Sequence, residues 1–133
     1  MTKEDMNNLT RYIFILILTT ILAACKIDSK WLLESQEPLT IETHETNGKS
    51  KGKKEIRKGE ETYSQLKRWM EENEKGWERS PVTFVPDVQV RGKKFTLNFH
   101  PRRAILNFQS QDGQWQQYVK DITEADFQYL LPR

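Results

Sequence analysis

The chain has 133 residues, 36% of them hydrophobic and 30% charged, with a formal charge of +2 and a single cysteine. That length suits one modest domain and not comfortably two. One cysteine excludes an intrachain disulfide or a four-cysteine zinc site, two histidines leave little for a histidine-based metal centre, and +2 carries no electrostatic mandate for nucleic acid.

The first element in chain order is an apolar run. Residues 12–24 read YIFILILTTILAA, preceded by Arg11 and ended by Cys25. About a dozen apolar residues fall short of the ~20 that a spanning helix needs, but match the hydrophobic region of a secretory signal. Upstream, Glu4 and Asp5 offset Lys3 and Arg11. Initiation at Met6 removes that conflict and leaves Arg11 as the only charge before the run, so Met6 is the expected start of translation.

Leu22-Ala23-Ala24-Cys25 resembles the lipobox of bacterial lipoproteins. The resemblance implies that the Cys25 thiol receives diacylglycerol, that residues 1–24 are cleaved, and that the new amino terminus is acylated. Small Ala23 and Ala24 give a peptidase access to the bond, and a thiol is nucleophilic enough to carry the thioether. One acyl chain binds a membrane marginally, at ~0.8 kcal/mol per buried CH₂, whereas several hold a protein stably. In the enterobacterial sorting pattern, an Asp directly after the cysteine retains a lipoprotein at the inner membrane. Lys26 stands there. The implied location is therefore the inner leaflet of the outer membrane, facing the periplasm, ahead of the periplasmic leaflet of the inner membrane.

Residues 25–37 read as a tether between the anchor and a domain at 38–133. Trp31, Leu32 and Leu33 interrupt it with an apolar cluster, suited either to packing on the domain or to the lipid interface. Residues 39–43, LTIET, alternate as a strand. Residues 47–59 carry Lys49, Lys51, Lys53, Lys54, Arg57 and Lys58 against Glu55 and read as a solvated, lysine-rich loop, the tip of a long hairpin if Ile56 pairs with Ile41.

The clearest helix spans about 60–75. Tyr63, Leu66, Trp69, Met70 and Asn73 form one face, with Lys67–Glu71 and Arg68–Glu72 on the other. Gly76 is a natural stop, and Trp77 is placed to fold back onto the apolar face. After Pro81 the period changes. Residues 82–85, 88–90, 95–99, 104–108 and 115–119 read as short strands, with turn chemistry at Arg91-Gly92-Lys93 and Gln111-Asp112-Gly113. A short closing helix is expected after Thr123, which can cap it, with Asp126 at the N3 position where a Glu or Gln would complete a capping box, and Ile122 and Phe127 spaced as a hydrophobic staple. The predicted fold is α+β: an amphipathic helix and a short C-terminal helix packed on an antiparallel β-meander, in two layers.

The sequence carries no catalytic or metal-binding motif: no HExxH, no GxSxG, no glycine-rich phosphate loop, and its cysteine sits at the lipobox. No cofactor or metal is expected. The constellation that stands out is His100-Pro101-Arg102-Arg103, a basic turn whose planar guanidinium groups suit a carboxylate or phosphate, which makes His100, Arg102 and Arg103 the candidate partner-binding residues. Asn98, Asn107, Gln109, Gln114, Gln116 and Gln117 give the sheet an amide-rich surface suited to protein or glycan contacts. The sequence thus points to a non-enzymatic, lipid-anchored binding module with a periplasmic protein partner, either an immunity factor or an envelope-assembly factor. The alternative is a small envelope enzyme acting on cell-wall material.

Overall fold

The computed structural model describes residues 25–34 and 38–132. The apolar run at 12–24, Met6 and the first three lipobox positions lie outside the described residues. What is described is mostly β with some helix: one seven-stranded antiparallel sheet with strand order β2-β1-β4-β5-β6-β7-β3, and two helices. The helices are α1 (Ser29–Glu34) and α2 (Glu61–Glu72). The strands are β1 (Leu39–His44), β2 (Ser50–Ile56), β3 (Glu78–Arg79), β4 (Val88–Arg91), β5 (Phe95–Phe99), β6 (Arg103–Gln109) and β7 (Trp115–Asp121). No helix among the described residues is long and apolar enough to cross a membrane.

The alternation of β5 decides its orientation: Phe95, Leu97 and Phe99 are buried while Thr96 and Asn98 are half-exposed. Register carries that orientation across the sheet. Ile41, Val90, Leu97, Leu106 and Tyr118 lie side by side on one face. That face shares a core with Tyr63, Leu66, Trp69 and Met70 of α2 and with Phe127 and Leu130 near the chain end. Trp69 packs edge-on against Phe99 at 5.0 Å and against Trp77 at 6.4 Å, so Trp77 does fold back. The Trp77 indole also donates to the Asn73 carbonyl at 2.6 Å, satisfying a free acceptor at the end of α2. Gly76 makes the reversal possible with φ of 83°, a conformation that costs other residues strain.

Four expectations need correction. Residues 25–34 are docked, not a free tether. Ile27, Leu32 and Leu33 are buried in the core, the Ile27 amide donates to the Glu74 carbonyl at 2.8 Å, and the Ser29 hydroxyl donates to the Glu74 carboxylate at 2.8 Å. The lysine-rich segment is not a loop over its length: residues 50–56 form β2, Ile56 pairs with Leu39, and Lys54 pairs with Ile41. β2 is an outer strand, where exposed lysines protect an edge while the backbone pairs inward. Residues 82–85 are not a strand, and the expected closing helix is two 3₁₀ turns, Glu124–Asp126 and Gln128–Leu130.

Residues 80–87 carry the chain from β3, at one edge, back to β4 in the middle of the sheet. They run over the face opposite α2. Gln117, on that face by register, donates its side-chain amide to the Ser80 and Val82 carbonyls at 2.6 and 2.7 Å. Ile105 also lies on that face and is only 2% exposed. The rest of the face stays uncovered by any described layer.

Candidate functional site

The uncovered part of this face is built from the positions that alternate with the core. Register aligns Lys53, Glu42, Gln89 and Asn98 in one row, and Glu55, Thr40, Arg91, Thr96 and Asn107 in the next. Six of these residues, Thr40, Glu42, Lys53, Glu55, Gln89 and Arg91, line a shallow depression of about 350 Å³.

The polar groups in it are joined. Lys53 Nζ lies 3.6 Å and His44 Nε2 3.7 Å from the Glu42 carboxylate. Arg91 Nη2 donates to Gln89 Oε1 at 2.6 Å, and Gln89 Nε2 donates to Asn98 Oδ1 at 2.8 Å. A hydrogen bond from the Ser50 side chain, with the charges of Lys53, His44 and Arg91, holds the Glu42 carboxyl below the usual carboxylate range against the opposing effect of burial. Glu42 therefore stays ionised. A carboxylate stabilised in this way is a weak base. The arrangement offers hydrogen-bond donors and acceptors over a shallow surface, which suits recognition of a polar partner.

The basic turn occupies another part of the molecule, between β5 and β6. The His100 amide donates to the Arg103 carbonyl at 2.8 Å. Phe84, from the crossing segment, joins the two side chains: its ring centroid is 5.2 Å from that of His100, and the Arg103 guanidinium lies 5.8 Å from it. Arg103 also approaches Asp121 at 4.0 Å. Arg102 is exposed and takes no part in this group; its carbonyl accepts the Ile122 amide. Burial pushes the His100 imidazole below its usual pKa, and nearby Asp87 partly opposes this. Phe84 and Val85 are 47% and 56% exposed, so the turn presents aromatic and aliphatic surface that the sequence reading assigned to a strand.

The amides are dispersed. Asn98, Asn107 and Gln117 lie on the open face, and Gln116 is on the core side, accepting the Tyr118 hydroxyl at 3.0 Å. Gln109 and Gln114 serve the β6–β7 turn, where the Gln109 side chain donates to the Gly113 carbonyl at 3.1 Å and the Gln114 carbonyl accepts the Ser110 amide.

Cys25 lies at the far edge of the sheet. It is half-buried, carries a free thiol and pairs with Trp77 in an isolated antiparallel bridge, just outside β3. A hydrogen bond between Cys25 and Tyr118, together with burial, raises the Tyr118 phenol above its usual range. Among the described residues, no three His, Cys, Asp or Glu side chains gather at a spacing that would hold a metal ion. The Glu42, Gln89 and Arg91 network has no counterpart among the motifs of the sequence. Alternation within 40–44 and within 88–91 places these residues on one face, but only the long-range pairing of β1 with β4 brings them together.

Comparison with known proteins finds no match: no family model fits the chain, and no curated protein or solved structure is significantly similar to it.

Proposed function

We propose that this chain is a lipid-anchored, periplasm-facing binding module of the bacterial envelope, held by an acylated Cys25 in the inner leaflet of the outer membrane. In this reading it is non-enzymatic and binds a periplasmic protein as an immunity or envelope-assembly factor. The two-layer α+β domain holds the partner on its open polar face.

The observation that carries this reading is the division of labour across the sheet. Cys25 extends the β3 edge, while the depression lined by Glu42, Gln89 and Arg91 lies toward the β2 edge. At ~4.8 Å per strand, the two edges stand roughly 30 Å apart. An anchor at one edge therefore leaves the other half of the face free for a partner. The face is shallow, and its carboxylate is tied into a charge network, which suits contact better than turnover.

The test is affinity purification of the acylated protein from detergent-solubilised envelopes, run beside a Gln89→Ala/Arg91→Ala variant. The reading expects a protein retained by the wild type and lost from the variant. Retention of the same proteins by both removes the open face as the binding surface. In the immunity form, the retained protein is a toxin encoded beside this gene.

A further inference from the structure

The β2 edge, far from Cys25, combines three features that the open face does not use. The first is backbone: β2 pairs with β1 on one side, and among the described residues no strand pairs with its other side. A free edge presents unsatisfied N–H and C=O groups at strand spacing, a template for another strand.

The second feature is charge. Lys53 is paired with Glu42 at 3.6 Å, whereas Lys51 and Lys54 make no ion pair among the described residues. Pairing with a second copy of β2 would set lysines against lysines, which disfavours self-association through this edge. An incoming strand with carboxylates meets the opposite situation.

The third feature is a groove of about 480 Å³ just inside the edge, on the α2 side. Ile41, Leu130 and Leu131 supply apolar lining, and Lys51, Lys53 and Lys54 on β2 outweigh the one carboxylate, Glu61, on the α2 side. Gly52 leaves room, since nothing lies within 4 Å of where its Cβ would be. Tyr129 also lines the groove, and its hydroxyl is buried without a hydrogen-bond partner among the described residues. A buried hydroxyl with no partner is unfavourable, so a ligand group bonding to it would gain. Burial, reinforced by Asp126, raises its pKa far above the physiological range, so it keeps its proton and can donate.

We propose that this edge binds an extended segment of a partner protein by strand addition, the segment carrying acidic and apolar side chains together on the face it turns to the groove. Its backbone continues the sheet beyond β2. Its carboxylates meet Lys51 and Lys54, and its apolar side chains enter the groove beside Ile41 and Leu131. The proposal rests on the binding-module reading but not on the anchor.

The test uses the full-length protein in detergent and a fluorescent eight-residue peptide, Thr-Glu-Thr-Leu-Thr-Glu-Thr-Leu, whose Glu and Leu share one face of a strand, followed by anisotropy and by amide hydrogen exchange. The expected result is saturable binding with slowed exchange in Ser50–Ile56. Affinity should fall at least tenfold for Lys51→Glu/Lys54→Glu, and equally for a peptide with Gln in place of Glu. A Lys75→Glu/Lys93→Glu variant, with the same charge change away from the groove, should bind within threefold of the wild type. Three results overturn the proposal: protection confined to other segments, binding indifferent to the groove lysines, or dimerisation through β2. The envelope purification with the Gln89→Ala/Arg91→Ala variant reports separately on the binding-module reading, so the two failures are distinguishable.

Discussion

Cys25 pairs with Trp77 in an antiparallel bridge, so the residue that resembles an acylation site also extends the edge of the sheet. Lys26 and Ile27 follow it directly onto the fold, where the Lys26 ammonium lies 3.4 Å from Glu74 and the Ile27 amide bonds the Glu74 carbonyl. The proposed anchor on Cys25 would therefore bring the β3 edge against the membrane without a flexible spacer. This juxtaposition depends on the reversal at residues 73–77.

That reversal gives the first prediction. Gly76 has φ of 83°, and a Cβ there would lie 2.8 Å from Lys120 Nζ, a group that donates to the Lys75 carbonyl at 2.6 Å. Gly76→Ala is expected to destabilise the fold by about 1–2 kcal/mol, read as a lower urea midpoint at unchanged slope. Gly52→Ala, with open space and no positive φ, should shift the midpoint by less than about 0.5 kcal/mol.

Trp69 ties α2 to the chain end. Its indole donates to Asp126 Oδ1 at 3.0 Å, while Asp126 Oδ2 accepts the Thr123 amide at 2.7 Å. Trp69→Phe keeps most of the ring but leaves that carboxylate one donor short. The expected loss is about 1–3 kcal/mol, with protection from hydrogen exchange falling first in residues 123–130.

The pH dependence has two parts. His100 is held below its usual pKa by burial. Because its folded pKa lies below the unfolded one, its contribution is complete above about pH 6.5 and is lost as pH falls through the folded value. The carboxyls of Glu42 and Asp126 are also held low, Asp126 by hydrogen bonds from Thr123 and Trp69 that outweigh its burial. Their contributions are present above about pH 4 and fade below it. Urea midpoints should therefore fall in two stages on acidification, and His100→Gln should remove the upper one.

On the open face, Gln89→Ala or Arg91→Ala removes a donor without opening the core. Each is expected to weaken partner retention by about tenfold, as interface contacts of 1–2 kcal/mol do, while the urea midpoint moves by less than about 0.5 kcal/mol.

Legibility followed the range of the forces involved. β5 was readable to the residue because alternation of Phe95, Leu97 and Phe99 and the flanking turns are local signals. α2 was readable for the same reason, although it ends at Glu72, short of Lys75, once Asn73 and Trp77 satisfy its last carbonyls. β2 was not readable, because lysines on an edge strand leave no apolar alternation and pairing with β1 alone defines it. Residues 82–85 have strand composition, yet Gln117 takes the Val82 carbonyl and Phe84 joins His100, so they become a cover instead. Docking of residues 25–34 was legible in part, since the apolar cluster at 31–33 allowed packing on the domain, but its bonds to Glu74 lie far along the chain and no local pattern announces them. In the candidate site, the His100 and Arg103 group was legible because one turn contains both, though its Phe84 was not. The Glu42, Gln89 and Arg91 network needed β1 placed beside β4, which no spacing in the sequence specifies.

The central claim is the anchor at Cys25. Mass spectrometry of the protein purified in detergent from bacterial membranes tests it most directly. An acylated Cys25 gives an amino-terminal peptide beginning at that residue, carrying a thioether-linked diacylglycerol and an acylated amino group. A chain that retains residues 1–24, or one whose Cys25 thiol is unmodified, would contradict it.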